Sequence, residues 1–122
     1  MKRISLSIAL CLALMFFAST ARAQHSASLS WTASSDAAAN PALGYNVYRL
    51  AGACPASGTA GFTKLNATPV TTTTYSDTTI GPGSFCYYVT ATLNGAESVP
   101  SNTASAVVLP GAPTLLKIPA TT

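Results

Sequence analysis

Few side chains in this protein are able to do chemistry. The 122-residue chain holds three carboxylates (Asp36, Asp77 and Glu97), one histidine (His25) and three cysteines (Cys11, Cys54 and Cys86). Hydrolysis by paired acids needs two carboxylates in one cleft. These acids stand in three separate segments, and no motif joins any two of them. Nucleophilic catalysis needs a base beside a serine or cysteine, and the one imidazole lies ahead of the first patterned segment. A redox or zinc centre needs a C-x-x-C pair, clustered thiols or a second histidine, and the sequence has none of these. The sequence therefore predicts a non-enzyme with no catalytic residue, no metal site and no cofactor. Asn66-Ala67-Thr68 matches a glycosylation acceptor, though only by a short pattern of low specificity.

Residues 1–23 read as a secretory signal peptide. Lys2 and Arg3 open it, an apolar run follows from Leu6 to Ala18, and Ala21, Arg22 and Ala23 form a small-x-small cleavage site before Gln24. The run falls short of the roughly 20 apolar residues that a spanning helix needs. Cys11 sits inside it with no small-residue box ahead, so it reads as an apolar filler rather than a lipidation site. Export takes away Lys2, Arg3 and Arg22, which leaves Arg49, Lys64 and Lys117 balanced against the three acids. The formal charge of +3 thus belongs to the precursor. A neutral chain lacks the electrostatic footprint of a nucleic-acid or anionic-membrane partner. The expected location is secreted, extracellular or periplasmic. Roughly a hundred residues remain, enough for one domain with one core.

The mature chain is patterned as short strands. Residues 27–32 alternate, with Ala27, Leu29 and Trp31 on one face and Ser28, Ser30 and Thr32 on the other. Residues 45–50 follow after a loop, with Tyr45 and Val47 inward and Asn46 and Tyr48 outward. A short strand is expected at 62–66 and a Thr-rich one at 71–77. Residues 84–93 carry Phe85, Tyr87, Val89 and Ala91 on one face, with Cys86 on the other. Asn94-Gly95 signals a hairpin, and 101–109 is expected to return as the last strand, with Ala104, Ala106 and Val108 on one face. Six strands with turn chemistry between them and no helical period predict an all-β antiparallel sandwich.

"LSW", "GYNVYR", "TYSDTTIGPG", the 85–91 strand and "ESVPSN" together resemble the signatures of strands B, C, E, F and G of a fibronectin type III domain of the bacterial extracellular kind. The resemblance covers nearly all of residues 26–109, with its parts in order. It implies an immunoglobulin-like sandwich with strands B, C, C', E, F and G over 24–109. The family's first strand, A, has no place ahead of "LSW". The family's tyrosine at the start of strand F falls on Phe85, so its hydroxyl bond is expected to be missing.

The resemblance also implies a register. Strands C and F pair so that Asn46 faces Thr90, Tyr48 faces Tyr88 and Cys86 faces Leu50, at the mouth of the loop that holds Cys54. In an oxidising compartment the two mature cysteines are then expected to form a Cys54–Cys86 disulfide. Tyr48 and Tyr88 are expected side by side on the solvent face. Such a pair either stacks on sugars or anchors a protein partner, or it only stabilises the sheet. A secreted binding or adhesion module for extracellular carbohydrate or protein is one implied function. A structural spacer or assembly module is the other. The Pro-rich tail, residues 110–122, resembles a strand A with no module after it: "TLLKI" places Leu116 and Ile118 on one face. It is expected either to hang free or to add a strand to a neighbouring copy, giving weak self-association.

Overall fold

The computed structural model describes residues 25–113. The expected signal peptide and the "TLLKI" segment lie outside the described residues. Within them the protein is all-β and antiparallel, with seven strands: β1 (Ala27–Ser30), β2 (Gly44–Ala51), β3 (Thr63–Lys64), β4 (Thr74–Asp77), β5 (Gly83–Leu93), β6 (Ala96–Glu97) and β7 (Ala104–Val108). β1 pairs with β4 in a two-stranded sheet. The larger sheet runs β3-β2-β5, with β6 and then β7 along the far side of β5.

The two sheets share one core. Ala27 from β1, Tyr45 and Val47 from β2, Tyr87 and Val89 from β5, and Leu43 and Ile80 from the loops are all buried, and Leu29, Trp31, Tyr75 and Phe85 pack against them. These are the apolar positions of the alternating segments, which a period of two places on a single face. Trp31 meets the Tyr45 ring edge-on at 5.4 Å. The arrangement is consistent with a β-sandwich.

The pairing of β2 with β5 has the expected register: Asn46 opposite Thr90, Tyr48 opposite Tyr88, Leu50 opposite Cys86. The Cys54–Cys86 disulfide is formed across 32 residues, with Cα atoms 5.0 Å apart. The Asn94-Gly95 turn has positive φ at both residues (52° and 83°), as a two-residue hairpin turn requires.

The return from the turn differs from the expected strand at 101–109: a two-residue strand, β6, pairs straight after the turn, and β7 begins only at Ala104. Pro100 offers no N–H to the ladder, and the chain between β6 and β7 leaves regular pairing. Two serines mend the gap. The Ser98 and Ser101 backbone N–H groups donate to the Ala91 and Val89 carbonyls, while their hydroxyls accept the Ala91 and Val89 N–H groups. β5 therefore keeps its hydrogen bonds beside a strand that is interrupted.

Asn66 plays a similar part on the opposite edge. The Leu65 N–H still donates to the Val47 carbonyl, and Val70 bonds Tyr45 through both backbone groups. Between these contacts the Asn66 side chain takes the place of backbone: its Oδ1 accepts the Val47 N–H at 2.8 Å and its Nδ2 donates to the Tyr45 carbonyl at 3.0 Å. Gly44, where β2 begins, lies so close to this segment that a Cβ would stand 2.5 Å from Pro69 Cβ. The glycine of "GYNVYR" lets the Pro69–Val70 bridge approach.

Candidate functional site

The outer face of β5 is expected to be half-solvated, yet Cys86, Tyr88, Thr90 and Thr92 are all buried. Their cover comes from the chain itself. The disulfide draws the β2–β3 loop back over the sheet, and Phe62, at the end of that loop, sets its ring edge-on to Tyr88 at 4.7 Å. Tyr48 and Tyr88 do stack, with centroids 4.6 Å apart and planes inclined by 13°. The expectation of two solvent-facing rings needs correcting, however: Tyr88 is only 8% exposed, and Tyr48 is the half-buried member of the pair. Sequence reasoning missed Phe62, because nothing in a Gly- and Ala-rich loop marks where its one large ring will land.

Glu97 from β6 closes the side of this stack. Its carboxylate accepts the Tyr48 hydroxyl at 2.8 Å and 2.9 Å on its two oxygens, the Asn46 amide, and the Thr90 hydroxyl at 3.3 Å. The Tyr48 hydroxyl bond holds Glu97 below the usual carboxylate range, helped by Asn46 and Thr90. Burial, then the Glu97 carboxylate, pushes the Tyr48 phenol up to about 12. Neither group is poised to exchange protons near neutral pH, so the arrangement orients polar atoms without activating them. In the sequence Glu97 was only a hairpin acid. The Thr92–Glu97 pairing puts it within reach of Thr90, Asn46 and Tyr48.

A shallow cleft opens beside the stack. Tyr88 lies in its floor, Pro55 to Thr59 of the disulfide loop form one wall, and Pro100, Ser101 and Thr103 form the other. Its volume is about 270 Å³. The lining carries hydroxyls and two prolines and no charged group.

Asp77 is the centre of a second polar cluster, on the core side. Both of its oxygens are used. Arg49 Nη1 and the Tyr87 hydroxyl donate to one, each at 2.8 Å, and the Thr79 backbone N–H and hydroxyl donate to the other. Burial raises the Asp77 pKa, but the bonds from Arg49, Thr79 and Tyr87 together bring it below its ordinary value. Arg49 also lies over the Phe85 ring, 5.8 Å from its centroid. Phe85 has no hydroxyl of its own, as expected, and Tyr87 supplies one to the β4–β5 corner from two residues further on. With every lone-pair direction of Asp77 occupied, the cluster is structural.

The remaining candidates do not converge. Asp36 lies in the β1–β2 loop and His25 precedes β1. Among the described residues no group of three or more His, Cys, Asp or Glu could hold a metal ion, and no helix is long and apolar enough to cross a membrane. The acceptor asparagine of the glycosylation pattern, Asn66, is buried and fully engaged. Comparison with protein-family models finds no matching family. A search of curated proteins finds no matching sequence.

Proposed function

We propose that this protein is a secreted, non-catalytic module of the fibronectin type III kind that binds extracellular carbohydrate. The family reading is supported by the antiparallel pairing of β2 with β5 in the register that the resemblance implies for strands C and F. Secretion is supported by the disulfide, since such bonds persist in oxidising compartments. The observation that carries the binding reading is the Tyr88 cleft beside the Tyr48 stack. A neutral trough of hydroxyls and prolines that reaches the Tyr88 ring of the stack suits a neutral polyhydroxylated chain better than a charged ligand. The expected result is retention on one or more polysaccharides in affinity electrophoresis. Tyr48→Ala combined with Tyr88→Ala should abolish it while circular dichroism still shows a cooperative fold. Retention that survives the double substitution would discard the site.

One observation favours a second reading, that of a spacer or assembly module without a ligand of its own. Tyr88 already has its partners, Tyr48 on one side and Phe62 on the other, so the stack is complete without a guest. Absence of retention on glycans and on extracellular proteins alike would move the assignment to the spacer.

A further inference from the structure

β1 lies at the edge of its sheet, with β4 as its only neighbour among the described residues. Ala27 faces Asp77 and Leu29 faces Tyr75, and the Trp31 N–H donates to the Thr73 carbonyl. Backbone groups along an antiparallel strand point alternately to either side. The groups of Ala27, Leu29 and Trp31 therefore turn toward β4, and those of Ser28 and Ser30 turn outward, an unpaired row that natural sheets ordinarily cover. Behind this edge the two sheets part. A groove of about 360 Å³ runs between β1 and the lead-in to β7, where Leu29, Trp31, Val89 and Ala104 are interspersed with polar groups such as Ser101 and Asn102. The Trp31 indole N–H is buried and has no acceptor among the described residues, although buried donors are nearly always paired.

We propose that this edge and groove receive residues 114–118 of a second copy of the chain as an added antiparallel strand. "TLLKI" alternates so that Leu116 and Ile118 share a face, which is what a strand must offer to a groove while its backbone pairs with Ser28 and Ser30. The topology selects a second copy. β7 ends at Val108 opposite Gly83, the start of β5, and β2 ends beside that same pole. Asp77 ends β4 a few residues before Gly83 and pairs with Ala27, so β1 begins at this pole too. A tail leaving β7 and turning onto its own β1 would run parallel to it. Antiparallel addition, the better-paired arrangement, requires entry from the other pole, hence from another molecule. Two copies side by side and inverted can each donate to the other, a closed two-fold exchange. The outer edge of β7 suits a donor less well, because Pro100 and Pro110 bracket it.

Sedimentation velocity of the exported chain from micromolar to millimolar concentration tests this. The expected result is a monomer–dimer equilibrium that shifts with concentration. Leu116→Asp with Ile118→Asp, which leaves the described domain untouched, should abolish the dimer. Ser30→Pro should do the same while the near-ultraviolet signal of Trp31 stays intact. In a mixture of differently labelled chains, contacts between Leu116 of one and Trp31 of the other are expected by NMR. A monomer at millimolar concentration, a dimer that survives the two tail substitutions, or a tail protected from exchange within a monomer would each overturn the proposal.

Discussion

Asp77 shows how much a single side chain can decide in a small domain. It is 1% exposed and its ion partner Arg49 is 24% exposed, so the pair sits at the boundary between a surface contact and a buried one. Removing one member of a buried pair costs about 3 to 5 kcal/mol, and the partial exposure of Arg49 places this case at the lower end. Asp77→Ala is therefore expected to lower the unfolding free energy by about 3 kcal/mol in urea titration. The pH dependence follows from the depressed pKa. The unfolded chain takes up the Asp77 proton at a higher pH than the folded one, so the contribution is complete above about pH 4 and is lost as the pH falls through the folded value. Glu97 is lowered too and adds acid sensitivity of the same sign. The test is thus a difference: Asp77→Asn should be less stable at neutral pH and should show a flatter acid limb than the wild type.

At the scale of the element, the strands that were legible are those whose pattern has only one interpretation. Ala27-Leu29-Trp31 and Phe85-Tyr87-Val89-Ala91 alternate over enough residues to assign an inner face, and the β2–β5 register followed from matching two motifs. Alternation does not report what a distant loop will lay over the outer face, so the burial of Tyr88 and Thr90 was not readable. Nor does it report that a side chain will serve as backbone. Asn66, which matches a glycosylation acceptor only by a short pattern, is a piece of the β2 edge. Asn66→Ala would leave the buried Val47 N–H without its acceptor, while the Tyr45 carbonyl keeps the Val70 N–H, and an unsatisfied buried donor costs about 1 to 3 kcal/mol. An expected loss of about 1 to 3 kcal/mol, measured by chemical denaturation, would separate this role from that of a surface asparagine. The folded protein should also carry no glycan at Asn66 when it is expressed in a glycosylating host. Mass spectrometry of the secreted product checks that directly.

For the whole molecule, the disulfide joins the exit of β2 to the start of β5 and so ties the two central strands. A closed loop of this length contributes on the order of 3 to 4 kcal/mol in the chain-entropy account. Reduction is expected to lower the melting temperature by roughly 10 to 30 °C in a domain of this size, and thiol titration of the native protein should find none free. The same bond bears on how fast the fold is reached. Among the described residues β1 pairs with β4 alone, β2 makes its longest pairing with β5, and β5–β6 is the only tight hairpin. An ordering dominated by such distant pairings folds slowly, because long loops must close before any contact rewards them. With Cys54 and Cys86 already joined, the most demanding of those closures is complete in the unfolded chain. If β2–β5 pairing organises the transition state, the oxidised protein should refold about 10- to 100-fold faster than the reduced one, with a smaller change in the unfolding rate. A stopped-flow comparison that placed the whole difference in unfolding would put that pairing after the barrier. In the first case the bond, once made, acts as a stored head start, returned each time the domain is unfolded and recovers.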